Sequence, residues 1–139
     1  MPNFVSKSGV TDINVGGDPS RSGTPLLEMR NLVPGNIVRI TSNFAAKAEE
    51  AGLANGFNYE IGAVNAKEVT ALSPTDSVFQ GSEGWQSCTV SAYFRIDAVT
   101  DSPTEDIDFE VLFGKGELSG KGSVLNFLLF GEVVGSTME

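Results

Sequence analysis

The sequence predicts an all-β domain, a β-sandwich or jelly-roll-like fold with one short helix and an extended N-terminal arm. Three observations carry this. Two runs of residues alternate with period two, turn signals recur at short spacing, and 16 Gly and 6 Pro in 139 residues favour many turns over long helices. The length suits a single domain, which buries roughly two-thirds of the surface its unfolded chain exposes.

Gly, Ser and Pro occupy eleven of the first 25 positions, with Phe4, Val5, Val10, Ile13 and Val15 spaced among them. Such a stretch builds no core of its own. Its separated apolar residues suit an arm (1–25) laid across a neighbouring subunit, with 26–139 as the sandwich domain.

Leu26 to Arg30 and Asn36 to Thr41 read as short strands flanking Val33-Pro34-Gly35, where Pro then Gly fits a type II turn. Ser42 and Asn43 offer an N-cap to the alanine-rich Phe44 to Ala51, which ends at Gly52 and predicts the short helix. Phe57 to Ile61, Lys67 to Leu72 and Ser77 to Phe79 are weaker strands.

Ser87 to Val99 alternates well. Cys88, Val90, Ala92, Phe94, Ile96 and Ala98 share one face; Thr89, Ser91, Tyr93, Arg95 and Asp97 share the other. In Asp106 to Phe113, Ile107, Phe109, Val111 and Phe113 oppose Asp106, Asp108 and Glu110. Asp101-Ser102-Pro103 between the two runs predicts an antiparallel hairpin. Ser123 to Val134 loads both faces with Val and Leu, plus Phe127 and Phe130. Such a strand is covered on both sides, or has one side closed by another subunit, which makes Leu128 and Phe130 candidate contacts.

The net charge is −9. Residues 101–139 carry most of it, disfavouring direct nucleic-acid or membrane-surface binding and favouring a basic protein partner. The absence of histidine removes Ser-His-Asp and Cys-His arrangements, common zinc sites and the usual general base. Cys88 is the only cysteine, so no intramolecular disulfide or cysteine cage forms, and its place in a strand pattern suits a small buried hydrophobe. The start MPNFVSKSG lacks a signal-peptide pattern, and no run reaches the roughly 18 apolar residues of a membrane span.

Gly114 to Gly122 resembles a phosphate loop but is one residue short, with Gly122 where Ser or Thr would hold magnesium; as a dinucleotide fingerprint its glycines are one residue too far apart. A glycine-rich hairpin loop accounts for it. Asp106, Asp108 and Glu110 repeat at roughly 7 Å, a spacing glycosidases use, yet a solvated strand face has the same pattern. The acidic loop from Asp101 to Asp108 offers oxygen ligands without EF-hand spacing. Neither catalytic residue, metal nor cofactor is therefore assigned. Trp85, between Gly84 and Gln86, is an aromatic suited to anchoring a partner or stacking on a sugar.

An N-terminal arm, a small acidic β-rich domain without catalytic residues and an over-apolar strand together resemble the small structural proteins of tailed-phage virions, above all capsid decoration, or cement, proteins. The resemblance spans the chain as architecture and transfers no residue roles. It implies a non-enzymatic virion protein assembled in the host cytoplasm, a homo-oligomer, often a trimer, clamped across major-capsid-protein subunits. The candidate contacts, Phe4, Val5, Val10, Ile13, Val15, Trp85, Leu128 and Phe130, come from the sequence patterns. The competing class is a carbohydrate-binding or adhesive β-sandwich with Trp85, Tyr59 and Tyr93 as a sugar platform.

Overall fold

The structure is a computed structural model that describes residues 3–16, 19–64, 69–97 and 104–137. Nine strands follow in chain order: β1 (Asn3–Asn14), β2 (Leu27–Leu32), β3 (Asn36–Ala48), β4 (Gly52–Ala63), β5 (Val69–Ala71), β6 (Asp76–Gly81), β7 (Gln86–Ile96), β8 (Glu105–Gly114) and β9 (Lys121–Ser136). They form a five-stranded sheet, β1-β9-β3-β7-β5, and a four-stranded sheet, β2-β8-β4-β6. Every neighbouring pair is antiparallel. The two sheets make a β-sandwich around one core, as the sequence patterning requires.

Period two decides what is buried. In β7, Cys88, Val90, Ala92, Phe94 and Ile96 point inward, and in β8 Ile107, Phe109, Val111 and Phe113 meet them from the other sheet. Ala98, the last of the β7 series, lies outside the described residues. Aromatic rings bridge the layers: Phe44 of β3 makes edge contacts with Tyr59 of β4 at 5.0 Å and Phe113 of β8 at 5.9 Å, and Phe94 lies 5.2 Å from Phe109. Burying each ring contributes about 1.5–3 kcal/mol.

The predicted helix is strand. Phe44 to Ala48 continues β3, with Phe44, Ala46 and Ala48 inward, and Phe44↔Cys88, Ala45↔Ser87 and Ala46↔Gln86 extend its ladder with β7. Alanine's helix preference is under about 1 kcal/mol per residue over most alternatives, and a central strand paired on both sides outweighs it. No helix of the described residues is long and apolar enough to cross a membrane.

The predicted β7–β8 hairpin is also corrected. β7 pairs with β3 and β5, whereas β8 pairs with β2 and β4, so the connection crosses between sheets; Asp101-Ser102-Pro103 lies outside the described residues. The type II turn is present: Asn36 N donates to Val33 O at 2.9 Å, and Gly35 has φ +93°. It too links strands of different sheets, β2 and β3.

The N-terminal segment is extended, as expected, but it is not a free arm. β1 pairs along β9 from Asn3↔Gly131 to Asn14↔Lys121, and Val15 N continues the contact to Gly120 O at 2.9 Å. Ile13 and Val15 are buried in the core. Without β1, the edge of β9 would present unpaired backbone groups, so the segment completes the sheet.

β9 lies between β1 and β3, so both its edges are paired. Its consecutive apolar residues Phe127 to Phe130 load both faces by alternation, and a bulge sets which of them face inward. Asn126 has φ +55°, and the register shifts opposite it on both neighbours, between Lys7 and Val10 and between Asn43 and Ala45. Phe127, Leu129 and Gly131 then face the core while Leu128 and Phe130 face outward, half-buried.

Candidate functional site

The outward face of the five-stranded sheet is built by register. Phe4↔Phe130, Ser6↔Leu128 and Val10↔Leu125 pair β1 with β9, setting an apolar band along these two strands. Beside it, β3 and β7 place Thr41↔Ser91 and Asn43↔Thr89, joined by side-chain hydrogen bonds of 2.9 and 2.8 Å. The Arg39–Glu132 ion pair closes one end of the band. Half of the face is thus apolar and the other half small and hydroxylated.

The candidate contacts divide over this frame. Phe4 (66% exposed) and Val10 (57%) project outward, and Leu128 and Phe130 are half-buried beside them. Val5 packs against the core, and Ile13 and Val15 lie within it, so burial removes these two from any external contact. Trp85 stands apart before β7, 39% exposed, with Lys47 Nζ 4.9 Å from its ring centroid.

The aromatic platform proposed for sugar does not form. Tyr59 is only 4% exposed, and Tyr93 lies eight residues beyond Trp85. That spacing is about 26 Å along an extended strand, too far for one ring to meet both. Inside the core, the Tyr59 hydroxyl contacts Cys88 and Ser77. Burial pushes both the Cys88 thiol and the Tyr59 phenol above their ordinary values, which holds them neutral. Cys88 is the packed hydrophobe its position predicts, rather than a nucleophile.

The opposite face of the sandwich is acidic. Glu28, Glu60, Asp106, Asp108 and Glu110 leave the four-stranded sheet on its outer side. Arg30 pairs with Glu28 and lies 3.9 Å from Asp106, and Arg21 is 3.9 Å from Glu110. Exposed pairs of this kind add little stability. Among the described residues, no group of three His, Cys, Asp or Glu side chains is arranged to hold a metal ion.

One concavity escaped the sequence patterns. A cleft of about 650 Å³ opens where β1, β9 and β3 end, lined by Asp12, Asn14, Lys47, Glu83, Lys121 and Ser123 among others. Its side chains come from four distant segments with no shared spacing, so no motif announces them. Trp85 was the single available pointer, through its contact with Lys47.

No protein-family model matches the chain, and no curated protein matches it in sequence. Solved structures give distant likenesses. An arabinose-bound MgGH51 α-L-arabinofuranosidase is 11% identical, covering 94% of this chain and 24% of that one, with a TM-score of 0.42. A cyclase from Fischerella sp. TAU is 12% identical over 82% of this chain and 60% of that one, with a TM-score of 0.43. A CBM4 structure is 14% identical over 91% and 92% of the two chains, with a TM-score of 0.27. The chain spans about a quarter of the arabinofuranosidase and three-fifths of the cyclase.

Proposed function

We propose that this protein is a non-enzymatic structural protein that associates with itself and docks on a protein lattice, in the manner of a capsid decoration protein. The outward face of the five-stranded sheet is its docking surface. The observation that carries this function is the outward apolar band of Phe4, Val10, Leu125, Leu128 and Phe130, in which Phe4 and Val10 are exposed and the other three half-buried. Four strands at about 4.8 Å spacing and ten residues at about 3.3 Å give a face of roughly 600 Å². This approaches the ~800 Å² per partner of a standard interface.

Charge supports the same orientation. The acidic outer side of the four-stranded sheet repels another copy of itself, whereas the five-stranded face offers an apolar band bounded by the paired Arg39 and Glu132. The acidic side is left to face solvent or a basic neighbour.

The test is to add purified protein to capsids assembled without it. This function predicts saturable, stoichiometric binding and particles that survive a higher temperature. Absence of binding, or binding without stabilisation, contradicts it.

A further inference from the structure

We infer that the open outer edge of β7, from Gln86 to Ala92, pairs antiparallel with the same edge of a second copy of this chain, joining two five-stranded sheets into one. The contact adds to the self-association proposed above and rests on it to bring copies close. It lies on the far side of the sheet from the docking band, two strands beyond β9.

The strand position beside β7 is only half filled. β5 pairs with β7 from Val69↔Ile96 to Ala71↔Phe94, Leu72 N then donates to Tyr93 O at 2.7 Å, and Tyr93 N donates to Ser73 Oγ at 2.9 Å. There the chain leaves: Pro74 follows, and Thr75 O accepts from Ile61 N of the other sheet. Backbone groups alternate in direction along a strand, so where Tyr93 turns its N–H and C=O away from β3, Ser91, Thr89 and Ser87 do the same. The β3–β7 register runs unshifted from Ile37↔Arg95 to Ala46↔Gln86, and no bulge breaks that alternation. The N–H and C=O groups of these three residues thus point outward in a row, and no described strand lies beside them.

An edge of this kind is a template for another strand unless something guards it. The other edges are guarded. β1 is broken by the register shift between Lys7 and Val10, with Gly9 at φ +84°; β2 carries Glu28 and Arg30 and shifts between Met29 and Leu32; β6 presents Asp76; and β5 is only three residues long. Between Gln86 and Ala92 the exposed residues of β7 are Ser87, Thr89 and Ser91, with no charge, proline or bulge among them. The inward residues show where cover is missing. Cys88 and Val90 keep 8% and 9% of their surface exposed, whereas Ala92, next to the part that β5 covers, keeps 0%.

A second copy is the occupant this edge fits, because the edge is complementary to itself. A two-fold axis beside Thr89 sets Thr89 opposite its own mate and Ser87 opposite Ser91, and each pair exchanges both N–H···O bonds. In the same register Gln86 meets Ala92, and the residue facing Tyr93 is Trp85, which precedes the strand. β5 of one copy and β7 of the other therefore fill successive halves of one strand position without overlap. Hydroxyls face hydroxyls along the outward side, a favourable cross-strand pairing, and Cys88 is set against Val90 on the inward side. Both outward faces stay on one side of the joined sheet, and neither apolar band is covered. So short a contact buries much less than the ~800 Å² per partner of a standard interface, so in free solution it forms at about 1 mM rather than at micromolar concentration.

The experiment is made in a Phe4→Glu/Phe130→Glu background, so that its outcome does not depend on the docking band. Thr89→Cys and Asn43→Cys, each with Cys88→Ala, are oxidised at about 1 mM. Asn43 on β3 is also exposed, but three strand spacings, roughly 14 Å, separate it from its mate, too far for a disulfide. At least tenfold more disulfide dimer is expected from Thr89→Cys than from Asn43→Cys. With Cys88 in place, nuclear magnetic resonance over a dilution series should show the amide signals of Ser87, Thr89 and Ser91 moving with concentration. Thr89→Pro removes a donor on the free edge alone and should stop the movement at Ser87 and Ser91. The inference is overturned if the two cysteine variants cross-link equally, if the edge amides ignore dilution, or if they move as much in Thr89→Pro. Edge amides that answer only to an added Thr-Val repeat peptide would place a foreign strand there and overturn it too.

Discussion

Phe4 of β1 stands directly opposite Phe130 of β9, and both side chains leave the sheet on its outward side. The residue is exposed in one case and half-buried in the other. The pairing ties the N-terminal segment to the strand that carries apolar residues on both its faces, Phe127 and Leu129 inward and Leu128 and Phe130 outward. β1 therefore does two things: its inward residues complete the core, and its outward Phe4 and Val10 widen the apolar band.

Removing residues 1–16 is accordingly expected to damage the fold and not merely the assembly. The deletion uncovers the edge of β9 and takes Ile13 and Val15 from the core. The milder Ile13→Ala should cost about 2–5 kcal/mol, read from urea unfolding. A shortened chain with an unchanged midpoint would show that the segment is an arm after all.

Two glycines should respond in opposite ways to alanine. A Cβ on Gly131 would come within 2.8 Å of Met29 Sδ and 2.9 Å of Ile40 Cδ1, in the packed layer between the sheets. Gly131→Ala should therefore cost about 1–3 kcal/mol through overpacking. At Gly62 of β4 a Cβ meets nothing within 4 Å, and Gly62→Ala should be neutral or stabilising by up to about 1 kcal/mol. Thermal melts of both variants check the contrast.

Stability should decline in alkali. Because burial raises the Cys88 thiol above its ordinary 9.0 and the Tyr59 phenol above its ordinary 10.0, the folded chain keeps protons that the unfolded chain releases. Between the ordinary and the raised values the unfolded state binds fewer protons, so stability falls as pH rises. The contribution is fully present below about pH 8 and is lost upward from pH 9. In Cys88→Ala the thiol part of the decline should vanish, as urea midpoints at pH 7 and pH 10 would show.

How much was legible in the sequence depended on whether local pattern or long-range pairing decided the outcome. The β7 and β8 alternations are local, and Val90, Phe94, Phe109 and Val111 are buried as they predict. The turn at Pro34-Gly35 is local too, since Gly35 alone supplies the positive φ. Phe44 to Ala48 carries a helical signal, but its neighbours Cys88 and Leu125 are distant in sequence and their ladders settle the matter. Alternation also says nothing about which sheet receives a strand, so β7 and β8 looked like partners. The outward position of Leu128 and Phe130 was foreseeable only in part, because the Asn126 bulge resets the parity of β9 halfway along. The cleft was hidden because Asp12, Lys47, Glu83 and Lys121 share no spacing; only the fold assembles them.

Sedimentation velocity on the wild type and on Phe4→Glu/Phe130→Glu tests the docking face most directly. The wild type should sediment as a discrete oligomer at micromolar concentration, and the double variant should sediment as a monomer with an unchanged far-ultraviolet spectrum. A wild type that stays monomeric, or an oligomer that both charges leave intact, would contradict the assignment of this face.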